Sequence, residues 1–421
     1  MPGPLTGVRV LEFSQVIAAP FAGQLLAEFG ADVLKVEPPE GESWRLQASF
    51  APQESKSFQA LNRGKRAMTL RLSEPRAQAI VHELLPGIDV VLINYRPDVP
   101  KKFGIDYASL AALRPDLIYA DLTAFGRRGP WALRPGYDGV VQAVSGLMAG
   151  EGKLRDDGSP GTIVASAIAD YATGMVLADA IITALYHRAR TGEGQYIECS
   201  LLATALNLQG VQVMEHATAD ARRNRLRALR RQRSNEGASY AELVRLGSTQ
   251  ITQDIYARAY LASDGAFVVA ATSLPQRAVL RAMWGTDLPA PGETGWDEDD
   301  ADFCARRAAT AARIARGYAV CEVDACVAEL LDAGVTAAPV KFGEEMGADP
   351  QVRANGFMVD LVHEVTGPQT ALSPPLRFSA CTAEPLRASP SVGRDTDAVL
   401  RELGYSVARI VALRREGGVV S

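Results

Sequence analysis

Hydrophobic positions in the first half of the chain change rhythm repeatedly. Runs at 8–13, 31–36, 68–72, 90–93, 117–122 and 195–200 are short and rich in apolar or β-branched residues, and they predict strands. Segments at 20–29, 75–85, 107–113, 175–190 and 201–218 repeat their apolar residues every third or fourth position and predict helices, the first with Pro20 in its opening turn and Gly30 at its end. Strands and helices in alternation predict a mostly parallel sheet covered by helices, that is, a large Rossmann-like domain of the α/β class.

The helix at 175–190 organises the rest. Val176, Leu177, Ala180, Ile181, Ala184 and Leu185 fall at helical spacing and Thr191-Gly192 stops the run, while the stretch Ile163-Val-Ala-Ser-Ala-Ile-Ala-Asp170-Tyr-Ala-Thr-Gly174 puts Asp170 where the helix begins. Free backbone N–H groups and the helix dipole favour an ionised carboxylate there and would steady an anion formed beside it. Asp is also among the commonest N-caps. The segment alone therefore favours a structural cap over a catalytic group and leaves both open.

Beyond residue 220 the pattern changes. Residues 221–233, Ala-Arg-Arg-Asn-Arg-Leu-Arg-Ala-Leu-Arg-Arg-Gln-Arg, form a basic cluster that reads as a solvated linker or helix face. Residues 256–271, with a turn at Ser263-Asp-Gly265, predict a β-hairpin, and the acidic run Asp297-Glu-Asp-Asp-Ala-Asp302 a solvated loop. A helix at 323–333, strands at 335–340 and 357–363, a segment punctuated by Pro374-Pro375 and by prolines between 385 and 390, and a helix at 396–403 resume the earlier style. The expected organisation is a large domain over 1–220, a smaller α+β domain with linkers over 221–330, and a return segment over 331–421 that completes the first domain.

Composition narrows the function. With 44 Lys and Arg against 49 Asp and Glu, a formal charge of -5 gives no general attraction to nucleic acid or an anionic membrane, and neither is expected as a partner. No apolar run is expected to be long enough to span a bilayer. Met1-Pro-Gly-Pro leads straight into a strand-like run without the features of a signal peptide, so the expected compartment is cytoplasmic. Cys321 and Cys326 have a possible metal-ligand spacing, but no second Cys or His pair completes a zinc site, and His82, His187, His216 and His363 are scattered, so no metal is expected. The first strand-to-helix turn, Ser14-Gln-Val-Ile-Ala-Ala-Pro20, lacks the G-x-G-x-x-G of a dinucleotide site, which counts against a nicotinamide dehydrogenase, and no P-loop occurs.

Eight separated motifs then carry a resemblance. Gly7-Val-Arg-Val-Leu-Glu-Phe13, Gly30-Ala-Asp-Val-Leu-Lys-Val-Glu37, Asn62-Arg-Gly-Lys-Arg66, Asn94-Tyr-Arg-Pro97, Arg134-Pro-Gly-Tyr-Asp138, Ala169-Asp-Tyr171, Arg190-Thr-Gly-Glu-Gly-Gln195 and Gly393-Arg-Asp-Thr-Asp397 resemble, in order and spacing, a family III CoA-transferase. That group holds formyl-CoA and carnitine CoA-transferases and α-methylacyl-CoA racemase. The resemblance spans almost the whole chain and is weakest near 210–255 and 285–320. It implies an interlocked homodimer, a CoA thioester as substrate with no permanently bound cofactor, a carboxylic acid as the second partner, and Asp170 as nucleophile. It further implies CoA contacts at Leu70, Arg71, Leu72 and Ser73 for adenine and ribose, at Asn94, Tyr95, Arg96 and Lys102 along the phosphates, and at Arg134 and Tyr137 nearer the thioester. Ile17, Ala18 and Asp138 would form the acyl pocket. Asn62, Lys65 and Arg66 stand either as further contacts or as supports for the next strand.

The chemistry suits a lone carboxylate, which can take an acyl group from a thioester as an anhydride and then take CoA itself, in transfer between two molecules or between the two carboxylates of one dicarboxylic acyl-CoA. Ile17 and Pro38 replace a polar Gln and an Arg of formyl-CoA transferase-like members, which disfavours formate and oxalate and favours a larger, partly apolar acyl group. Racemisation is the alternative within the family. Racemases have a His where this chain has Tyr137, and a phenol of ordinary pKa about 10 is a poor base. A non-catalytic acyl-CoA-binding protein is the alternative of another class.

Overall fold

The computed structural model describes residues 2–150, 152–164, 166–248, 254–297, 300–381 and 387–415. Strands β1 (Arg9–Phe13), β2 (Asp32–Glu37), β3 (Arg66–Thr69), β4 (Val90–Ile93), β5 (Ile118–Thr123) and β6 (Gln195–Ser200) form one six-stranded sheet in the order β3-β2-β1-β4-β5-β6, parallel throughout. The chain winds outward from β1 through β2 to β3, then returns to β4 on the other side. This reversal opens a crevice beyond the carboxyl ends of β1 and β4, where doubly wound sheets bind ligands.

Side-chain alternation divides the core. Leu11 and Phe13 of β1 face α2 (Pro75–Leu84) through Ile80 and Val81, together with Val399, Leu400, Ile410 and Leu413 near the carboxyl terminus, whereas Val10 faces the other way, towards α1 (Ala18–Glu28). That second face also takes a short helix, α3 (Asp138–Ser145), and a long one, α4 (Ile168–Thr191), which is followed by α5 (Leu201–Asn207). The helix expected over 201–218 is thus shorter, and α3 had no counterpart among the expected elements.

α4 differs from expectation in two ways. At 24 residues it is long and apolar enough to cross a membrane by length and composition, against the expectation that no segment would be. Its buried positions, Ala169, Asp170, Thr173, Gly174, Leu177, Ala178, Ile181 and Ala184, recur at helical spacing, and the apolar ones belong to the core shared with α1 and the sheet. Its N-cap is Ala167, which makes no side-chain cap, so Asp170 is the third helical residue and not the cap.

The described part divides into two compact units, 1–148 with 162–214 and 347–421, and 149–161 with 215–346. In the second, α6 (Ala221–Asn235) carries the arginine cluster on an exposed helix beside α7 (Tyr240–Ser248). An antiparallel sheet of β7 (Ala257–Leu261), β8 (Ala266–Ala270) and β9 (Ala337–Pro339) packs with α8 (Leu274–Trp284), α9 (Ala301–Tyr318) and α10 (Val323–Asp332) around Tyr260, Phe267, Trp284 and Tyr318. Pairing of β9 with β8 carries residues 331–346 into this unit, so the division falls at 346 where the sequence suggested 330. Residues 300–302 of the acidic run cap and open α9 instead of lying in a loop, because the Asp300 carboxylate accepts from the N–H groups of Asp302 and Phe303; 298–299 of that run and 385–386 lie outside the described residues. The first unit also holds a hairpin, β10 (Met358–His363) with β11 (Gly367–Leu372), and the helices α11 (Thr396–Glu402) and α12 (Val407–Arg415), the last beyond the final helix expected.

One glycine sets how closely α1 and α4 approach. A methyl group on Gly174 would lie 2.6 Å from the Ala18 carbonyl oxygen and 3.0 Å from the Phe21 ring. Alanine is the better helix former by about 1 kcal/mol, but the overlap requires backbone movement. Gly174→Ala is predicted to destabilise the protein by about 1–3 kcal/mol, seen as a lower urea midpoint at an unchanged m-value.

Candidate active site

The crevice at the switch point is a cavity of about 210 Å³. The turn after β1 supplies Gln15, Val16, Ile17 and Ala18, the loop after β4 supplies Asn94 to Pro97, the segment 132–137 supplies Arg134 and Tyr137, and α4 supplies Asp170. Eight residues named from the sequence therefore meet in one place: Ile17, Ala18, Asn94, Tyr95, Arg96, Arg134, Tyr137 and Asp170.

Asp170 is only 6% exposed, and among the described residues no donor is hydrogen bonded to its carboxylate. Burial, and then the charge of the neighbouring Asp138, push its carboxyl up to about 7 from an ordinary 3.8. The sequence argument had the opposite sign. In the first turn of α4 the dipole does favour the anion, yet it is outweighed by dehydration and a second carboxylate.

Asp138 does not line the cavity. One of its oxygens accepts the Ala169 N–H at 2.8 Å and the other accepts from the Gln142 side-chain amide at 2.5 Å, while the Gln142 side-chain oxygen accepts the Ile163 N–H at 3.0 Å. The capping work expected of Asp170 is thus done by Asp138 from α3, which leaves the Asp170 oxygens free to face the crevice.

Some expected contacts lie outside the cavity, and others line it with side chains already engaged within the protein. Leu70 and Leu72 are buried in the core below the end of β3; Arg71 pairs with Glu40, and Ser73 is exposed. Lys102 is exposed and shares Asp98 with Arg96, at 3.6 and 3.1 Å. Asn94 lines the cavity, but its side chain is committed to the protein: its oxygen accepts the Gln15 N–H at 3.0 Å and its amide donates to the Gln15 carbonyl at 2.8 Å. Arg134 stacks over Trp131 at 4.5 Å. Lys65 is wholly buried, donating to Glu12, Asn62 and the Pro20 carbonyl, so it supports α1 and reaches no ligand. Thr123, Ala124 and Leu201 also line the crevice and were not singled out; as ends of β5 and start of α5, they carried no signal beyond their place after a strand. Among the described residues no group of three or more His, Cys, Asp and Glu is arranged to hold a metal ion, and the five cysteines are free thiols.

A doubly wound sheet with a dehydrated carboxylate at its switch point defines an α/β enzyme that works on its ligand without a glycine-rich phosphate loop. The chain belongs to CoA-transferase family III, whose family model matches residues 5–396, and it is a CoA-transferase. It is 34% identical over 425 residues to the succinate–glutarate CoA-transferase of Agrobacterium fabrum, covering 95% of this chain and 96% of that protein. It is 27% identical over 431 residues to the formyl-CoA:oxalate CoA-transferase of Escherichia coli, covering all of both. The crystal structure of a CAIB/BAIF family protein from Brucella suis matches with a TM-score of 0.74 at 30% identity, covering 96% of this chain and 100% of that one.

A carboxyl whose pKa is higher in the folded than in the unfolded state binds its proton more tightly in the native protein. Stability therefore falls as pH rises from about 4 to about 7, by up to about 1.4 kcal/mol per pH unit. Asp170→Asn removes this dependence. It is predicted to leave stability nearly unchanged at pH 4 and to raise it by about one to a few kcal/mol at pH 8, measured by urea unfolding at the two pH values.

Proposed function

We propose that the protein transfers CoA from an acyl-CoA thioester to a carboxylic acid, with Asp170 as nucleophile and short dicarboxylic acids as preferred acyl groups. The observation that carries this reading is the Asp170 carboxylate, buried, without a hydrogen-bonding donor among the described residues, near neutrality in pKa, and open to the switch-point crevice. A carboxylate stripped of hydrogen bonds keeps its basicity and so its nucleophilicity, while half-ionisation near pH 7 keeps the reactive form abundant.

In this reading an Asp170 oxygen attacks the thioester carbonyl, the C–S bond breaks, and CoA leaves as thiolate from a mixed anhydride. The thiolate then attacks the Asp170 carbonyl carbon. The first acid departs as carboxylate, taking one oxygen that had belonged to Asp170, and leaves an aspartyl-CoA thioester. The acceptor carboxylate attacks that thioester, thiolate is released again, and its attack on the acceptor carbonyl yields the new acyl-CoA and a carboxylate at Asp170 that now holds one acceptor oxygen. No net proton is consumed. Ala18 and Ala19 open α1, whose N-cap Ile17 makes no side-chain cap; their N–H groups have no intrahelical acceptor, and this reading assigns them to the oxyanions.

Arg96, Lys102 and Arg134 serve the phosphates and carboxylates as charge-assisted donors, with Asp98 holding two of these cations until CoA arrives. Tyr95 and Tyr137 complete the CoA wall, and the segment from Leu70 to Ser73, whose two leucines are buried, meets the adenosine through its backbone and through Arg71 and Ser73. Ile17 and Ala18 give the acyl chain an apolar wall, which suits methylene carbons between two carboxylates better than oxalate. The likeness to a succinate–glutarate enzyme supports the same class. Racemisation needs two proton-transfer groups, but both oxygens of Asp138 are engaged in capping and in the Gln142 bond.

Incubation with a panel of acyl-CoAs and dicarboxylic acids, followed by mass spectrometry, is expected to yield new thioesters with C4 to C6 diacids, with kcat/KM rising through a pH of about 7 to a plateau. Asp170→Asn is expected to lose about a thousandfold or more of turnover while retaining CoA binding. Undiminished transfer in that variant, or solvent deuterium entering the α-carbon of an acyl-CoA with no acid present, overturns the reading.

The same family likeness suggests an interlocked homodimer. A second, larger cavity of about 890 Å³ between α1, α4 and the β10–β11 hairpin is lined by Phe50, Met175 and Leu372, each more than half exposed, and so much uncovered apolar surface is the kind a partner subunit covers. Sedimentation is predicted to give a mass twice that of the 45.0 kDa chain; a monomer at micromolar concentration contradicts it.

A further inference from the structure

The turn between β1 and α1 stands where a dinucleotide fold has its glycines, yet it carries a β-branched residue in an unfavourable conformation. Val16 adopts φ 73, in the left-handed region that β-branched residues avoid. Such a conformation persists only when its surroundings over-determine it, and side chains from three other segments do so here.

From the loop after β2, the Glu42 carboxylate, 3% exposed, accepts the Val16 N–H at 2.8 Å and pairs with the Lys35 ammonium at 3.1 Å. From β2, Lys35 donates to the Ser14 carbonyl at 2.8 Å and to Glu12 at 3.2 Å. From the end of β4, Asn94 holds both the N–H and the carbonyl of Gln15. One turn further on, Lys65 holds the Pro20 carbonyl at 2.7 Å. The backbone of Ser14, Gln15 and Val16 is thus tied residue by residue, and Gln15 and Val16 wall the cavity that holds Asp170.

We infer that Glu42 and Asn94 are positioning residues for CoA transfer, clamping the strained turn at Gln15 and Val16 so that the start of α1 keeps its place opposite Asp170. The inference rests on the transfer reaction proposed above. It departs from the family resemblance at Asn94, which that likeness assigns to the CoA phosphates. The two assignments differ in kinetics: a lost phosphate contact raises KM for acyl-CoA at unchanged kcat, whereas a displaced wall lowers kcat at nearly unchanged KM.

The test measures kcat, acyl-CoA KM and the concentration of competent sites, read from the burst of released acid when acyl-CoA is mixed with enzyme without acceptor, for the wild type and for Glu42→Leu, Glu42→Gln and Asn94→Ala. Glu42→Leu and Asn94→Ala are expected to lower kcat per competent site at least tenfold with KM within threefold of wild type. Glu42→Gln keeps an oxygen for the Val16 N–H and is expected to retain kcat within threefold. Glu42 is buried in an ion cluster, so Glu42→Leu is the variant exposed to folding failure; Asn94 sits at the cavity wall, and Asn94→Ala then decides the matter alone. A rise in KM at constant kcat for Asn94→Ala, or wild-type kcat per competent site in a folded Glu42→Leu, overturns the inference and leaves the transfer reaction standing. A wild-type chain that moves no CoA removes the proposed function and this inference with it.

Discussion

Desolvation of the Asp170 carboxylate is the constraint on which the site depends. A carboxyl group removed from water and set beside a second acid resists ionisation, and here the two effects together outweigh the favourable end of a long helix. The arrangement holds because Asp138 takes over the structural duty that an acidic residue at a helix start would ordinarily perform. By accepting the Ala169 N–H and the Gln142 amide, Asp138 caps α4 and joins it to α3, and Asp170 is left without a donor among the described residues. Two neighbouring carboxyls thus differ in role because one is hydrogen bonded and the other is not.

Keeping that carboxylate dehydrated requires α1 to lie tightly on α4, and both sides of α1 are built for it. On one side Gly174 admits the Ala18 carbonyl; on the other, a Cβ at Gly23 would stand 1.9 Å from a Glu12 oxygen, so α1 also rests directly on a buried carboxylate. Glu12 is held in turn by Lys35 and Lys65, all three fully buried. Buried ion pairs of this kind add little net stability over apolar packing, but removing one partner is costly, which makes them effective at enforcing a single geometry. The fold therefore spends charged residues below the site to fix the backbone above it.

Much of this fold was legible in the residue pattern. The strand-like runs ending in Phe13, Val36, Ile93 and Leu122 announce a parallel sheet, and the turn after the first of them announces a ligand crevice lacking a phosphate loop. Asp170 stood out because it lies at the start of a strongly periodic helix, and its candidacy as nucleophile came from the family resemblance. Its capping role and the sign of its pKa shift were misread, because both depend on Asp138 and on burial, which no local pattern records. The ion cluster was equally hidden: Glu12 and Lys65 are 53 residues apart in sequence, and either one alone reads as a surface charge. α3 escaped notice because it is short and its valines and Gly139 are weak helix formers. The burial of the Leu70 and Leu72 side chains was not legible either, because a family likeness transfers positions along the chain and not the direction in which a side chain points.

The central claim is that Asp170 exchanges an oxygen with the acids it serves. Single turnover with an acceptor whose carboxylate carries heavy oxygen, followed by peptide mass spectrometry, tests it directly. Covalent transfer through Asp170 predicts one heavy-oxygen atom in the peptide containing that residue for each acceptor converted. A new acyl-CoA formed in full while the Asp170 peptide stays unlabelled would contradict the account.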